Sequence, residues 1–104
     1  DYTKAIELNP HFAEAYYRLG MNKKAEETLD AMWKTSAQYI RYYLSLPQNR
    51  FMSSQRDCMY NLYIMQRFCE IASPYNKPLA DKMTENLNQL IAAYQGRGGS
   101  LGGE

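Results

Sequence analysis

Apolar residues along this chain recur at spacings of three and four rather than at alternate positions, so the pattern predicts helices and no strands. Asp1–Leu8 reads as the end of a helix, closed by Asn9-Pro10, where Asn9 offers a capping side chain and Pro10 suits a helix start. A second helix is expected from about His11 to Leu19, stopped by Gly20. A long third helix follows from Asn22 to about Leu46, with Ala25, Leu29, Met32, Ser36, Ile40 and Tyr43 or Leu44 on one face and Pro47 as its terminator. The fourth is expected from Ser54, where Ser54-x-x-Asp57 has the form of a capping box, to about Ala72. Its apolar residues make two stripes, Cys58, Leu62, Met65, Cys69, Ala72 and Tyr60, Ile64, Phe68, Ile71. A helix apolar over that much of its circumference is central in its bundle or covered by a partner. Ser73-Pro74-Tyr75-Asn76-Lys77-Pro78 is a break, and the fifth helix, to about residue 94, carries Leu79, Met83, Leu87, Leu90 or Ile91, and Tyr94 on a single face. The expected fold is all-α, antiparallel helical hairpins in an array of four to five helices over residues 1–95. Residues 96–104 hold five glycines without an apolar pattern and are expected to be a flexible tail.

Two stretches carry a family resemblance. Tyr2, Ala5 and Pro10 have the spacing that closes a tetratricopeptide repeat, and Tyr16, Leu19 and Gly20 the spacing that opens the next, with Ala25 and Leu29 in place for its second helix. Residues 1 to about 32 therefore resemble a tetratricopeptide repeat. Tyr16 to Ala25 spans only nine positions, about seven fewer than the family spacing, and seven residues are close to two turns at 3.6 per turn, so the shortened helix keeps its buried face in register. The resemblance implies a stacked helix pair, neighbouring repeats or self-association, and a surface for another protein or peptide.

A second resemblance rests on Tyr17-Arg-Leu-Gly-Met-Asn-Lys-Lys-Ala25, Gln38-Tyr39-Ile-Arg-Tyr42-Tyr43-Leu-Ser-Leu46 and Asn61-Leu62-Tyr63-Ile-Met. Over residues 17–94 these are similar to the C-terminal helical region of Bacteroidetes membrane proteins that themselves resemble protein O-mannosyltransferases. It implies a soluble appendage of a bacterial membrane enzyme, without that enzyme's spanning or sugar-transferring residues. A hydrophobic multi-span region upstream would favour this second reading, and further repeats of about 34 residues the first. The contrast between the repeat-like start and the rest also admits a junction, engineered or recent, near residue 17; finding the uninterrupted sequence in a natural gene would remove that idea.

Composition narrows the partners. Twelve Lys and Arg against eleven Asp and Glu give a formal charge of +1, which is no electrostatic footprint for nucleic acid. No run of about 20 apolar residues marks a membrane span, and no basic-then-apolar start marks a signal peptide. The segment is expected to be soluble.

Candidate chemistry is sparse. His11 is the sole histidine and stands at a helix start, where a surface or packing role outweighs catalysis. Cys58 and Cys69, eleven residues apart on one helix, are about 16 Å apart at 1.5 Å per residue, too far for a disulfide. Two cysteines and one histidine do not make a zinc signature, so neither metal nor cofactor is expected. The pairs Glu26-Glu27 and Asp81-Glu85 suit solvated helix faces. An Arg97-Gly98-Gly99 triplet is too short to be an RNA-binding tract.

The anomaly is tyrosine, ten in 104 residues. Packing between helices explains many such rings. Because Ile40 and Leu44 already supply the apolar stripe of the third helix, Tyr39, Tyr42 and Tyr43 exceed what one packing face needs. Together with Arg41, and with Tyr60, Tyr63 and Arg67 as neighbours, they are the expected protein-binding surface of a non-catalytic scaffold. Trp33 and Phe68 are the expected core anchors.

Overall fold

The computed structural model describes residues 9–101, which form five helices and no strand: α1 (His11–Arg18), α2 (Asn22–Leu44), α3 (Gln48–Ser53), α4 (Gln55–Ala72) and α5 (Lys77–Gly96). The helix end expected over residues 1–8, with Tyr2 and Ala5, lies outside the described residues. The fold is all-α, as the periodicity requires.

Local chemistry sets most of the boundaries. Asn9 Oδ1 accepts the His11 amide at 3.0 Å, and Pro10 already has helical dihedrals, so α1 starts there. At its other end Gly20 has φ 77°, which lets the Gly20 amide reach Tyr17 O at 3.0 Å and the Met21 amide reach Tyr16 O at 2.9 Å. These two bonds close the orphan carbonyls of the last turn, and they need a residue at ease with positive φ. Asn76 starts α5 in the same manner as Asn9, its Oδ1 accepting the Leu79 amide at 3.1 Å, with Pro78 in the first turn.

Three boundaries differ from the sequence expectation. α2 stops at Leu44, and a short helix, α3, fills the interval after Pro47. With Phe51 as its one buried residue, α3 is too brief to leave a periodic signal. The capping box at Ser54 does not form, because Ser54 sits directly between α3 and α4 and makes no side-chain cap bond. Its amide is instead taken up by Arg50 O and Phe51 O at the end of α3.

The third departure is the glycine-rich end. Residues 96–101 are bound to the body rather than loose. Gly98, with φ 92°, closes α5 as Gly20 closes α1: the Gly98 amide bonds Gln95 O at 2.9 Å and the Gly99 amide bonds Tyr94 O at 3.0 Å. Gly99 lies against the Tyr94 ring with no room for a Cβ. The Arg97 guanidinium stacks over Phe51 at 4.6 Å and donates to Leu44 O at 2.5 Å, Leu46 O at 2.7 Å and Gln48 Oε1 at 2.8 Å. Tyr94 and Tyr63 hydroxyls donate to Ser100 O and Leu101 O, and the Ser100 amide to Gln55 Oε1. Glycine here supplies backbone geometry, which composition cannot distinguish from flexibility.

α4 occupies the centre, packed between α2 and α5 and touching α1 and α3. Its first stripe, Cys58, Leu62, Met65, Cys69 and Ala72, is buried throughout, and Phe68 and Ile71 of the second stripe are buried too. That accounts for the wide apolar arc. α2 and α5 run parallel on α4, since Asn76 at the start of α5 bonds Glu26 near the start of α2, while Arg97 past the end of α5 bonds the end of α2. The buried face of α2 is the expected one, Ala25, Leu29, Met32, Ser36, Ile40 and Tyr43, with Ala37 and Tyr39 added.

Candidate functional site

The seven residues expected to form one binding surface are divided by the fold. Tyr39 and Tyr43 are each 8% exposed and belong to the core. A helix lying between two neighbours uses more than one stripe, so these rings are packing groups and the surplus inferred for α2 was not surplus. Tyr42 is half-buried and meets Tyr43 edge-to-face at 5.5 Å. Arg41 is exposed, on the side of α2 that faces α5. The Tyr43 hydroxyl has its pKa raised by burial and then by the Asp57 carboxylate.

Tyr60, Tyr63 and Arg67 do share a surface. At spacings of three and four they fall on the side of α4 turned away from its neighbours, with Tyr60 58% and Tyr63 54% exposed. Arg56 continues the same stripe one turn earlier, and Arg67 pairs with Glu70 at 3.0 Å. Beside the stripe, Met52 and Ser53 of α3, Gln55, Arg56, Asp57 and Met59 of α4, Tyr94 and Ser100 line an open, mainly polar hollow of about 610 Å³.

A second concavity lies between α2 and α5. Its upper part is walled by Glu26, Leu29, Asp30, Trp33, Leu79, Lys82, Met83 and Asn86. Its lower part continues past Trp33 and Asn86 to Ala37, Arg41, Gln89 and Leu90. Trp33, expected as a core anchor, is half-buried in the wall of this furrow, whereas Phe68 is fully buried. The furrow exists because α2 and α5 lean on α4 and scarcely on each other. The one sequence sign of it was the choice left open between Leu90 and Ile91, both of which are half-buried at the edge of the stripe.

A polar tie holds the top of the bundle. Glu26 Oε2 accepts from Asn76 Nδ2 at 3.0 Å and from the Tyr17 hydroxyl at 3.5 Å, and the Tyr17 ring stacks on Tyr75 with centroids 4.4 Å apart. Burial first, and then the Glu26 charge and hydrogen bond, push the Tyr17 hydroxyl up to about 12. Both thiols are buried and free; burial pushes Cys58 up to about 11 and also raises Cys69. Such thiols are poor nucleophiles, because the thiolate is the reactive form. His11 is exposed beside Glu14. Among the described residues no three His, Cys, Asp or Glu side chains come together, and no helix is long and apolar enough to cross a membrane.

Comparison with protein-family models, with curated proteins and with solved structures gives no match.

Proposed function

We propose that the chain is a non-catalytic helical scaffold that works by binding another protein or positioning a neighbouring domain, in the manner of a tetratricopeptide-like repeat. The observation that carries this reading is the outer face of α4, where Tyr60 and Tyr63 stand exposed between Arg56 and Arg67 although the helix has inner faces enough for its core. Tyr and Arg are the residues most favoured at binding hot spots, since large rigid rings bury much area at little entropic cost. The outer side of α1 supports the stacking part of the reading. Phe12 and Leu19 are 59% and 73% exposed there, and Met21 continues the patch, an apolar stripe suited to a neighbouring repeat or a second copy.

The test is a pull-down with the folded chain against its Tyr60→Ala, Tyr63→Ala variant, with the recovered partner then identified and rebound in purified form. Loss of that partner at an unchanged melting temperature is the expected result. Equal recovery rules the α4 face out, and an Arg41→Ala, Tyr42→Ala variant asks the same question of α2. A measured turnover by the isolated chain overturns the non-catalytic assignment.

A further inference from the structure

We infer that residues 99–101 occupy a peptide-binding seat formed by Gln55 and Tyr63 of α4 and Tyr94 of α5, and that the seat takes a non-helical Gly-x-Leu segment of a partner protein when the chain's own segment is lifted. The inference rests on the protein-binding reading and deepens it, for it names a partner sequence beside the outer face of α4, with Tyr63 common to both.

The seat grips mostly backbone. Gln55 Oε1 accepts the Ser100 amide at 3.0 Å, the Tyr94 hydroxyl donates to Ser100 O at 2.6 Å, and the Tyr63 hydroxyl donates to Leu101 O at 3.1 Å. Side chains that hold both backbone groups of one residue and the carbonyl of the next read a main chain, which every sequence carries. Two positions add selectivity. At 99 the Tyr94 ring leaves no room for a Cβ, so glycine alone passes. At 101 the leucine is half-buried and packs against the hydrophobic core. Ser100 between them is exposed, and the seat reaches it through its backbone.

The seat is built independently of the segment that fills it. Gln55 Nε2 is tied to Met52 O at 3.2 Å, the Tyr94 ring packs edge-to-face on Phe51 at 5.8 Å, and all three gripping side chains stand on helices. Groups fixed in this way keep their geometry when the occupant leaves. The segment itself is joined to α5 through Gly98, whose φ of 92° makes it a turn, while the Arg97 clamp on the end of α2 uses no atom of residues 99–101. Residues 99–101 can therefore lift as a flap while α5 stays clamped. A tethered segment acts at an effective concentration of the order of millimolar, so the same contact holds the seat closed against a partner peptide.

Two variants of the full chain open the seat by different means: Gly99→Ala, whose methyl has no room against Tyr94, and Ser100→Pro, which removes the amide that Gln55 accepts. The probe is the capped peptide Gly-Gly-Ser-Leu-Gly, compared with Gly-Ala-Ser-Leu-Gly, and binding is followed by nuclear magnetic resonance at the Tyr63 and Tyr94 rings. The expected result is a saturable shift of both rings in the opened variants, with binding about tenfold weaker to the parent, whose own segment competes. The alanine peptide is expected to bind about tenfold more weakly than the glycine peptide. No saturable shift in the opened variants, equal binding to parent and variants, or equal binding of the two peptides each overturns the inference. Loss of native circular dichroism in both variants makes the segment inseparable from the core and overturns it as well. A peptide that fails while the Tyr60→Ala, Tyr63→Ala variant still loses its partner overturns the seat and leaves the α4 face standing.

Discussion

Replacing Arg97 by alanine decides whether the C-terminal end is part of the fold. The side chain donates to Leu44 O and Leu46 O at the end of α2 and to Gln48 Oε1 at the start of α3, and its cation lies over the Phe51 ring. One residue thus ties three helices at a point where α2 has unsatisfied carbonyls. A hydrogen bond from a charged donor contributes about 1.5–3 kcal/mol, but the three share one guanidinium and are not additive. Arg97 is half-buried, so water recovers part of the loss when the side chain goes. With roughly 0.5–1 kcal/mol from the contact over Phe51, the net cost is about 2–4 kcal/mol. That is a large share of the ~5–15 kcal/mol that holds a domain together, and at roughly 4–8 °C per kcal/mol for a domain near this size it lowers the melting temperature by about 8–30 °C. The assay is thermal unfolding followed by circular dichroism, with Arg97→Lys as the companion. Lysine keeps the charge but not the fork, so it recovers less than half of the loss. A melting temperature within about 2 °C of the parent for Arg97→Ala would refute the clamp and return residues 96–101 to the flexible tail that composition alone suggests.

Two further outcomes follow from burial. Phe68→Ala removes a fully buried ring at the centre of α4 and is expected to cost about 3–5 kcal/mol in urea unfolding; an unchanged stability accompanied by lost association would place Phe68 in an interface instead. Stability is expected to fall in alkali. Folding raises Cys58 from 9.0 to about 11 and Tyr17 from 10.0 to about 12, so the unfolded chain releases these protons first. The contribution is complete below pH 9, and declines as pH rises through 9 to 12. A pH-independent urea midpoint between pH 8 and 12 would contradict the burial of both groups.

Periodicity alone determined the helical class, the order of the long helices and most of their inner faces, because a 3.6-residue repeat of apolar groups is a local property that survives without knowledge of neighbours. Ala25, Leu29, Met32, Ser36 and Ile40 lie where that repeat puts them, and Gly20 and Asn76 end and start helices by chemistry written into one residue and its immediate neighbours. What a residue faces is not local. Tyr39 and Tyr43 are buried and Tyr60 and Tyr63 exposed although all four sit on apolar-looking helix positions, since only the placement of α4 between α2 and α5 fixes which arcs are covered. The same holds for Trp33, which lines a furrow because α2 and α5 both lean on α4 and scarcely on each other. It holds most for Arg97, whose hydrogen-bond acceptors lie 49 to 53 positions earlier. A glycine-flanked arginine has no pattern that foretells a clamp; the backbone turn at Gly98 delivers it to the end of α2, and that meeting exists only in the folded chain.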